Sequence, residues 1–223
     1  MIKAAIFDLD GTLGDTVTSI AYSANLALQE LGFSGIPKEC FKQYAGDGVN
    51  ELVRRCLRHL GDTECTRFEE LRTVYKRIFA ENCMYQVKPY EGICDMLEAL
   101  KKQGIRIAVL SNKPHEQSVR VVEELFGKGY FDGIQGQTES IRRKPAPDGA
   151  FAIAKAFGVR TDECLYVGDT NTDMQTGNAA HMHPVGVLWG FRDREELLAN
   201  GSEFLIEKPL ELLAVMEQCN TRK

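Results

Sequence analysis

The sequence has no apolar run of the roughly 20 residues that a membrane-spanning helix needs. Its amino terminus is apolar only as far as Phe7, where Asp8 interrupts it, and no small-residue cleavage site of a secretory signal follows. We therefore expect a cytoplasmic protein with no membrane partner.

An excess of positive charge is also missing. The chain has 27 Lys and Arg residues against 32 Asp and Glu residues, which gives a formal net charge of -5. Binding to a nucleic-acid backbone depends on a basic surface, so a nucleic-acid partner is disfavoured. A small anionic substrate stays possible, because a metal ion and local hydrogen-bond donors can reverse the field within one cleft.

The cysteines and histidines lack the spacing of metal ligands. The seven cysteines are odd in number, scattered and never arranged as C-x-x-C. This pattern indicates reduced thiols that mostly fill the core, and it disfavours a zinc site or a disulfide framework. The four histidines show no ligand spacing either, so we expect them to have structural or surface roles.

Short apolar runs alternate with helical patterns along most of the chain. Strands are predicted at 2–7, 106–110 and 164–167, and more weakly at 131–136, 183–187 and 204–206. Helices are predicted at 92–103, 116–126 and 148–157, where apolar residues recur at intervals of three and four. Short apolar strands separated by helices indicate a parallel sheet buried on both faces. The sequence thus predicts an α/β fold with a doubly wound parallel sheet.

One long stretch breaks this alternation. Between Thr16 and Tyr85 the sequence shows helical periodicity punctuated by glycines, and it shows no convincing strand. A chain of 223 residues is long for one compact domain and short for two independent ones. We therefore predict an α/β catalytic core of residues 1–15 and 86–223, with an α-helical cap of residues 16–85 inserted into it.

Polar side chains follow the predicted strands at the sheet edge where ligands bind in open α/β folds. They are, in chain order, Asp8, Asp10, Ser111, Asn112, Lys144, Asp169 and Asp173. The carboxyl ends of parallel strands meet at one edge, so we expect these residues to form one site.

Each residue type in this set has a chemical use. A carboxylate such as Asp8 can be phosphorylated as a nucleophile, but its charge repels phosphate unless a cation lies between them. Mg²⁺ binds through one or two carboxylates plus phosphate oxygens, and Asp8 with Asp169 could hold it. The Ser111 hydroxyl, backbone amides and the Lys144 ammonium could stabilise the charge of a transferring phosphoryl group. Asp10 lies two residues from Asp8, close enough to protonate a leaving oxygen and later deprotonate water.

Four segments of the chain resemble, in order, the four motifs of the haloacid dehalogenase superfamily. These segments are 8–12, 111–112, 144–145 and 168–173, so the resemblance spans nearly the whole sequence. It implies Asp8 as the nucleophile and Asp10 as the general acid and base. It also implies that residues 16–85 form a cap, which would close over the site and select substrates.

The same resemblance implies the ligands of metal and phosphate. Mg²⁺ would be bound by the carboxylates of Asp8 and Asp169 and by the backbone carbonyl of Asp10. Phosphate would be held by Ser111, the Asn112 amide and Lys144. Asp173 would support the waters of the metal or Lys144.

Within the superfamily the chain is most similar to the phosphoglycolate phosphatase group, on the residues of segments 46–57, 142–148 and 185–197. This similarity implies a small phosphorylated metabolite as substrate, 2-phosphoglycolate or a related ester, and a monomer or homodimer. Two residues depart from the group: Gly14 stands where a bulky apolar residue is usual, and His181 stands where glycine is frequent.

Structural explanations compete with several of these interpretations. Ser111 could cap the following helix, and Asp173 could be an acid placed at a helix start. Gly46 and Gly48 are interpreted as an inter-helix turn, and Trp189 as a packing residue.

Other functions also remain open. A phosphosugar mutase, a pyrophosphatase or a nucleotidase of the same superfamily would use the same four motifs. A dehalogenase would need neither the metal nor Asp10. A receiver-like signalling protein is disfavoured by the length of the chain and by the insertion.

Overall fold

A six-stranded parallel sheet forms the centre of the computed structural model, which describes residues 1–221. Its strands are β1 (Ala4–Phe7), β4 (Arg106–Pro114), β5 (Gly133–Gln137), β6 (Cys164–Gly168), β7 (His183–Val187) and β8 (Phe204–Ile206). They lie in the order β5-β4-β1-β6-β7-β8. Two further strands, β2 (Gly14–Asp15) and β3 (Lys88–Pro89), pair with each other as a separate antiparallel ribbon.

Helices cover both faces of the sheet. Those of the α/β part are α5 (Ile93–Lys102), α6 (His115–Phe126), α7 (Asp148–Phe157), α8 (Asn171–Ala179), α9 (Arg194–Ala199) and α10 (Glu211–Thr221). Strand β1 shows why two layers are needed, because its alternate side chains point to opposite faces. Ala5 and Phe7 pack into one apolar cluster, and Ala4 and Ile6 pack into the other. The doubly wound parallel sheet predicted from the sequence is confirmed.

The helical insertion, residues 16–85, leaves the sheet between β2 and β3. It contains α1 (Val17–Glu30), α2 (Phe41–Tyr44), α3 (Val49–His59) and α4 (Phe68–Asn82), with a 3₁₀ turn at Lys38–Cys40. Leu28, Leu57 and Leu71 are fully buried within it. No strand lies in this range, which is described throughout, as the sequence predicts. The boundaries of the insertion as a domain remain a prediction.

Two differences from the sequence-based assignment concern strand ends. Strand β4 continues past Leu110 to Pro114, with a register shift against β5, so Ser111 and Asn112 lie on an irregular strand extension and not in a loop. The β2–β3 ribbon was not predicted as strand, because two-residue strands are too short to show any periodicity. Its two strands flank the predicted insertion of residues 16–85.

The departures at Gly14 and His181 have structural correlates. His181 is exposed and has φ of 55°, in the left-handed region that glycine adopts at the lowest cost. A side chain at Gly14 would begin 3.3 Å from Thr16 Cγ2 and 3.4 Å from Leu125 Cδ1, so the local packing leaves little space for a larger residue.

Within the described residues, no helix is both long and apolar enough to cross a membrane.

Candidate active site

The candidate active site lies where the order of the strands reverses. Chain connections run from β1 outward to β4 and β5, then back across to β6, β7 and β8. In the register of the sheet, Phe7 of β1 lies between Val109 of β4 and Val167 of β6. Asp8, Ser111 and Asp169 follow these three residues within two positions, so they leave the sheet side by side. This is the crevice in which doubly wound folds bind ligands.

Three carboxylates converge in this crevice. Ligand oxygens of Asp8, Asp169 and Asp173 all lie within 4.8 Å of one another, and the three residues are buried. Such a set of closely spaced oxygen donors fits a hard divalent cation such as Mg²⁺.

Asp169 is fixed by hydrogen bonds to both of its oxygens. Thr12 Oγ1 donates to Oδ1 at 2.7 Å, and the Phe191 backbone N–H donates to Oδ2 at 2.8 Å. Two glycines make room for it: a Cβ at Gly11 would lie 2.2 Å from Oδ2, and one at Gly190 would lie 2.3 Å from Asp169 Cβ. The glycine of the first motif is therefore a steric requirement of the carboxylate in the fourth.

Asp173 combines the two roles that the sequence left open. Its Oδ2 accepts hydrogen bonds from the Thr170 backbone N–H at 3.0 Å and from Thr170 Oγ1 at 2.6 Å, in a capping box that begins α8. Its Oδ1 accepts a hydrogen bond from Lys144 Nζ at 2.6 Å. Asp173 therefore ties the start of a helix to the lysine of the site.

Lys144 bridges two of the carboxylates. Its buried ammonium lies 2.6 Å from Asp173 Oδ1 and 2.9 Å from Asp8 Oδ1. The Asn112 side chain holds the backbone at Lys144, accepting from its N–H at 2.9 Å and donating to its carbonyl at 3.1 Å. The same amide donates to the Gly46 carbonyl at 3.1 Å. The Asn112 side chain therefore holds two backbone segments in place, one at Lys144 and one at Gly46.

Burial and charge act against each other in this cluster. Burial raises the pKa of Asp8 to about 7; Lys144 opposes this rise, and the nearby carboxylates of Asp173 and Asp10 add to it. Burial also raises the pKa of Asp169 well above its usual range, with contributions from Asp173 and Asp8. For Lys144 burial lowers the pKa, but Asp173 and Asp8 outweigh it and the net shift is upward. With these groups ionised, three carboxylates face one ammonium, and a divalent cation would balance the charge.

Asp10 has a partner that the sequence reasoning missed. Lys113 Nζ lies 2.7 Å from Asp10 Oδ1 and 2.9 Å from Oδ2, and the lysine side chain is only 2% exposed. It follows Ser111 and Asn112 directly on β4. A lysine on a buried strand would have been a usable signal, because lysine is almost never fully buried without a partner.

A cavity of about 40 Å³ opens between the sheet edge and the helical insertion. The core contributes Asp8, Asp10, Ser111, Asn112, Lys113 and Pro114 to its walls. The insertion contributes Ile20, Ala45, Gly46, Gly48, Val49, Leu52, Tyr75 and Phe79. A larger cavity, of about 700 Å³, shares Gly48, Val49, Tyr75, Phe79, Asn112 and Pro114 with it. Gly46 and Gly48 form an inter-helix turn, as predicted, and they also line the cavity.

Contacts from the core hold this turn in place. Asp47 Oδ1 accepts a hydrogen bond from Thr172 Oγ1 at 2.6 Å. The buried Arg192 donates to the backbone carbonyls of Lys42 and Ala45 at the end of α2. Arg192 was not singled out from the sequence, because only the fold reveals that the segment after β7 reaches the insertion. Trp189, expected to be a packing residue, is half-buried and donates from Nε1 to the Thr12 carbonyl at 3.0 Å.

Comparison with known proteins assigns the family. Residues 5–187 match the model of the haloacid dehalogenase-like hydrolases. The chain belongs to this hydrolase family. The match includes every candidate site residue, from Asp8 to Asp173.

Relatives of this hydrolase match it over almost its whole length. It is 32% identical to a phosphoglycolate phosphatase of Aquifex aeolicus, with 97% of each chain covered. It is 31% identical to a phosphoglycolate phosphatase of Neisseria meningitidis, over 86% of this chain and 83% of the relative. A crystal structure of a candidate phosphoglycolate phosphatase from Lactobacillus delbrueckii superposes with a TM-score of 0.90 at 33% identity, covering 96% of this chain and 98% of that one.

Proposed function

We propose that this hydrolase is a Mg²⁺-dependent phosphatase that transfers the phosphoryl group of 2-phosphoglycolate, or of a similarly small ester, onto Asp8 and then to water. The observation that carries the proposal is the placement of the Asp8 carboxylate. It lines the cavity between the sheet edge and the insertion, next to Lys144 and within a cluster of carboxylates. The relatives named phosphoglycolate phosphatase support the choice of substrate.

Mg²⁺ would be held by the carboxylates of Asp8 and Asp169 and by the backbone carbonyl of Asp10. When bound, it would neutralise the repulsion between carboxylate and phosphate and the charge that develops in the transition state. Asp173 would act indirectly, by holding Lys144 beside Asp8.

Asp8 and Asp10 would each act in both chemical steps. In the first, an Asp8 oxygen attacks phosphorus, the bond to the ester oxygen breaks, and Asp10 gives that oxygen a proton. In the second, Asp10 takes a proton from water, the water oxygen attacks phosphorus, and the Asp8 carboxylate leaves. The Ser111 hydroxyl, the Asn112 backbone N–H and the Lys144 ammonium would hold the phosphoryl oxygens through both steps.

Turnover of the purified protein with and without metal tests the proposal. We expect phosphate release from 2-phosphoglycolate with Mg²⁺, its loss in EDTA, and its recovery when Mg²⁺ is restored in excess. Asp8→Asn should abolish turnover, whereas the exposed Asp95→Asn serves as a matched control and should leave it unchanged. Full hydrolysis in EDTA, or an active Asp8→Asn protein, would contradict the mechanism. Isomerisation of a sugar phosphate without phosphate release would indicate a mutase instead.

A further inference from the structure

The part of the cavity that faces the insertion is mainly apolar, and Tyr75 carries the one polar side-chain group among the described residues of the insertion that line it. The side chains of Ile20, Val49, Leu52, Tyr75 and Phe79 form most of it. The leaving group of the substrate would lie on this side, since the phosphate site is on the sheet edge. An anionic leaving group would be unstable among these walls unless a cation were present, because burying an unpaired charge is strongly unfavourable.

Lys113 brings a positive charge to this cavity. Among the described residues that line the cavity, Lys113 is the only one with a positive charge. Its ammonium lies 4.7 Å from the centroid of the Phe79 ring, at the boundary between core and insertion. An ammonium has three N–H donors, and the two oxygens of Asp10 occupy two of them. The third donor remains for a ligand.

We propose that Lys113 is the receptor for a carboxylate on the leaving group, and that it makes this site selective for esters with a carboxylate beside the ester carbon. The inference rests on the proposed function. In 2-phosphoglycolate only two carbon atoms separate the ester oxygen from the carboxylate oxygens. The group that protonates the ester oxygen and the cation that binds the carboxylate must then be neighbours. Asp10 and Lys113 are in direct contact.

The same contact bears on catalysis. Lys113 holds both oxygens of Asp10, so the cation that would bind the leaving-group carboxylate also positions the residue that would serve the ester oxygen. A neutral leaving group of the same size would fill the cavity without binding Lys113. Lys113 therefore acts as a specificity residue through its own contact and as a positioning residue through Asp10.

The wild-type protein gives the first test. We compare 2-phosphoglycolate with ethyl phosphate, in which a methyl group replaces the carboxylate, and we expect kcat/KM to favour 2-phosphoglycolate on the order of 10²-fold or more. Equal kcat/KM for the two esters would overturn the inference while leaving the phosphatase proposal intact. Release of phosphate from neither ester, nor from any other phosphomonoester, would instead overturn the proposed function.

Variants then assign the preference to Lys113. Lys113→Met keeps the length of the side chain and removes its charge, Lys113→Arg keeps the charge, and the exposed Lys155→Met is a matched control on α7. We expect Lys113→Met to lose most of the preference, Lys113→Arg to retain part of it, and Lys155→Met to keep it. An unchanged ratio of the two kcat/KM values in Lys113→Met would refute the assignment.

Binding without turnover separates recognition from catalysis. In the Asp8→Asn background, calorimetry would measure the Kd of each ester with and without the Lys113→Met substitution. We expect the Kd of 2-phosphoglycolate to rise on the order of 10²-fold and that of ethyl phosphate to change little. An equal weakening of both esters would mean that Lys113 is purely structural, which would overturn the inference.

Discussion

Three aspartates of the site have different surroundings, and the surroundings give them different chemistry. Asp8 lies beside Lys144 at the edge of the cavity, Asp10 is paired with Lys113, and Asp173 is enclosed by Lys144 and Thr170. Only Asp8 and Asp10 line the cavity. Carboxylates in distinct environments can serve separately as nucleophile and as acid.

The role of Asp10 predicts a dependence on the leaving group. Asp10→Asn should lower kcat steeply for an alkyl phosphate, whose oxygen needs a proton to leave, by on the order of 10²- to 10⁴-fold. An activated aryl phosphate should lose much less, since its oxygen leaves as an anion. Steady-state kinetics of both esters measures the effect, with Asp95→Asn as the control. Equal losses for the two esters would remove Asp10 from the acid role.

At the residue scale, the sequence predicted the main residues of the candidate site but missed some of the side chains that hold them in place. Asp8, Asp169 and Ser111 were placed together by one rule, that parallel strands end at one edge, and the structure brings them together. Lys113 and Arg192 were missed for a different reason. Their importance lies in what they contact across long sequence separations, 103 residues between Lys113 and Asp10, and periodicity carries no such information.

At the scale of elements, the turn between α2 and α3 links the insertion to the core. Gly46 and Gly48 have φ of +109° and +83°, values that residues with a Cβ rarely adopt. A Cβ at Gly46 would meet Thr170 Cγ2 at 3.2 Å, and one at Gly48 would lie 3.5 Å from the Asn112 carbonyl. The turn is thus shaped to approach the core closely.

Bulkier residues in this turn should change substrate selection. We expect Gly46→Val or Gly48→Val to raise KM for 2-phosphoglycolate, because its leaving group would lie against the insertion. A phosphate ester with a smaller leaving group should be affected much less. Gly61→Val is the matched control, since Gly61 has φ of +91° but nothing within 4 Å of its Cβ position. It should lower stability by about 1–3 kcal/mol and leave KM unchanged.

Thermal unfolding and steady-state kinetics of the three variants provide the comparison. A proportional loss for every ester would make the turn purely structural and would remove the basis for substrate selection by the insertion.

The helices and strands themselves were predictable from the sequence where they are long. The strand extension to Pro114 and the two-residue ribbon were not, because a register shift and a pair of residues leave no pattern in the sequence.

At the scale of the whole molecule, the buried carboxylates make metal binding and stability depend on pH. The Asp8 pKa is raised to about 7, so between about pH 4 and about pH 7 the folded protein holds a proton that the unfolded chain has released. Stability of the metal-free protein therefore falls as pH rises through this window. Mg²⁺ binds the ionised carboxylates, so it must compete with that proton at low pH.

We expect the rise in Tm caused by Mg²⁺ to be small near pH 5 and to increase towards pH 8. Without metal, Asp8→Asn should be more stable than the wild type near pH 8, because a neutral amide replaces a buried charge. Thermal unfolding across this pH range, with Mg²⁺ or with EDTA, measures both effects. A metal-induced shift that is independent of pH would show that the carboxylates are already ionised in the metal-free protein.

The antiparallel ribbon also defines two positions at which the helical insertion could be exchanged by protein engineering. Asp15 and Lys88 are opposite each other in β2 and β3, so the chain leaves the α/β part and returns to it at one point. An insert whose two ends already meet can be exchanged as a module, because any replacement with adjacent termini fits the same gap. Joining Asp15 to Lys88 through a two-residue Asn-Gly turn would satisfy the same pairing. Grafting a foreign helical module at these two residues should alter which esters are accepted while the phosphoryl chemistry stays with the strands.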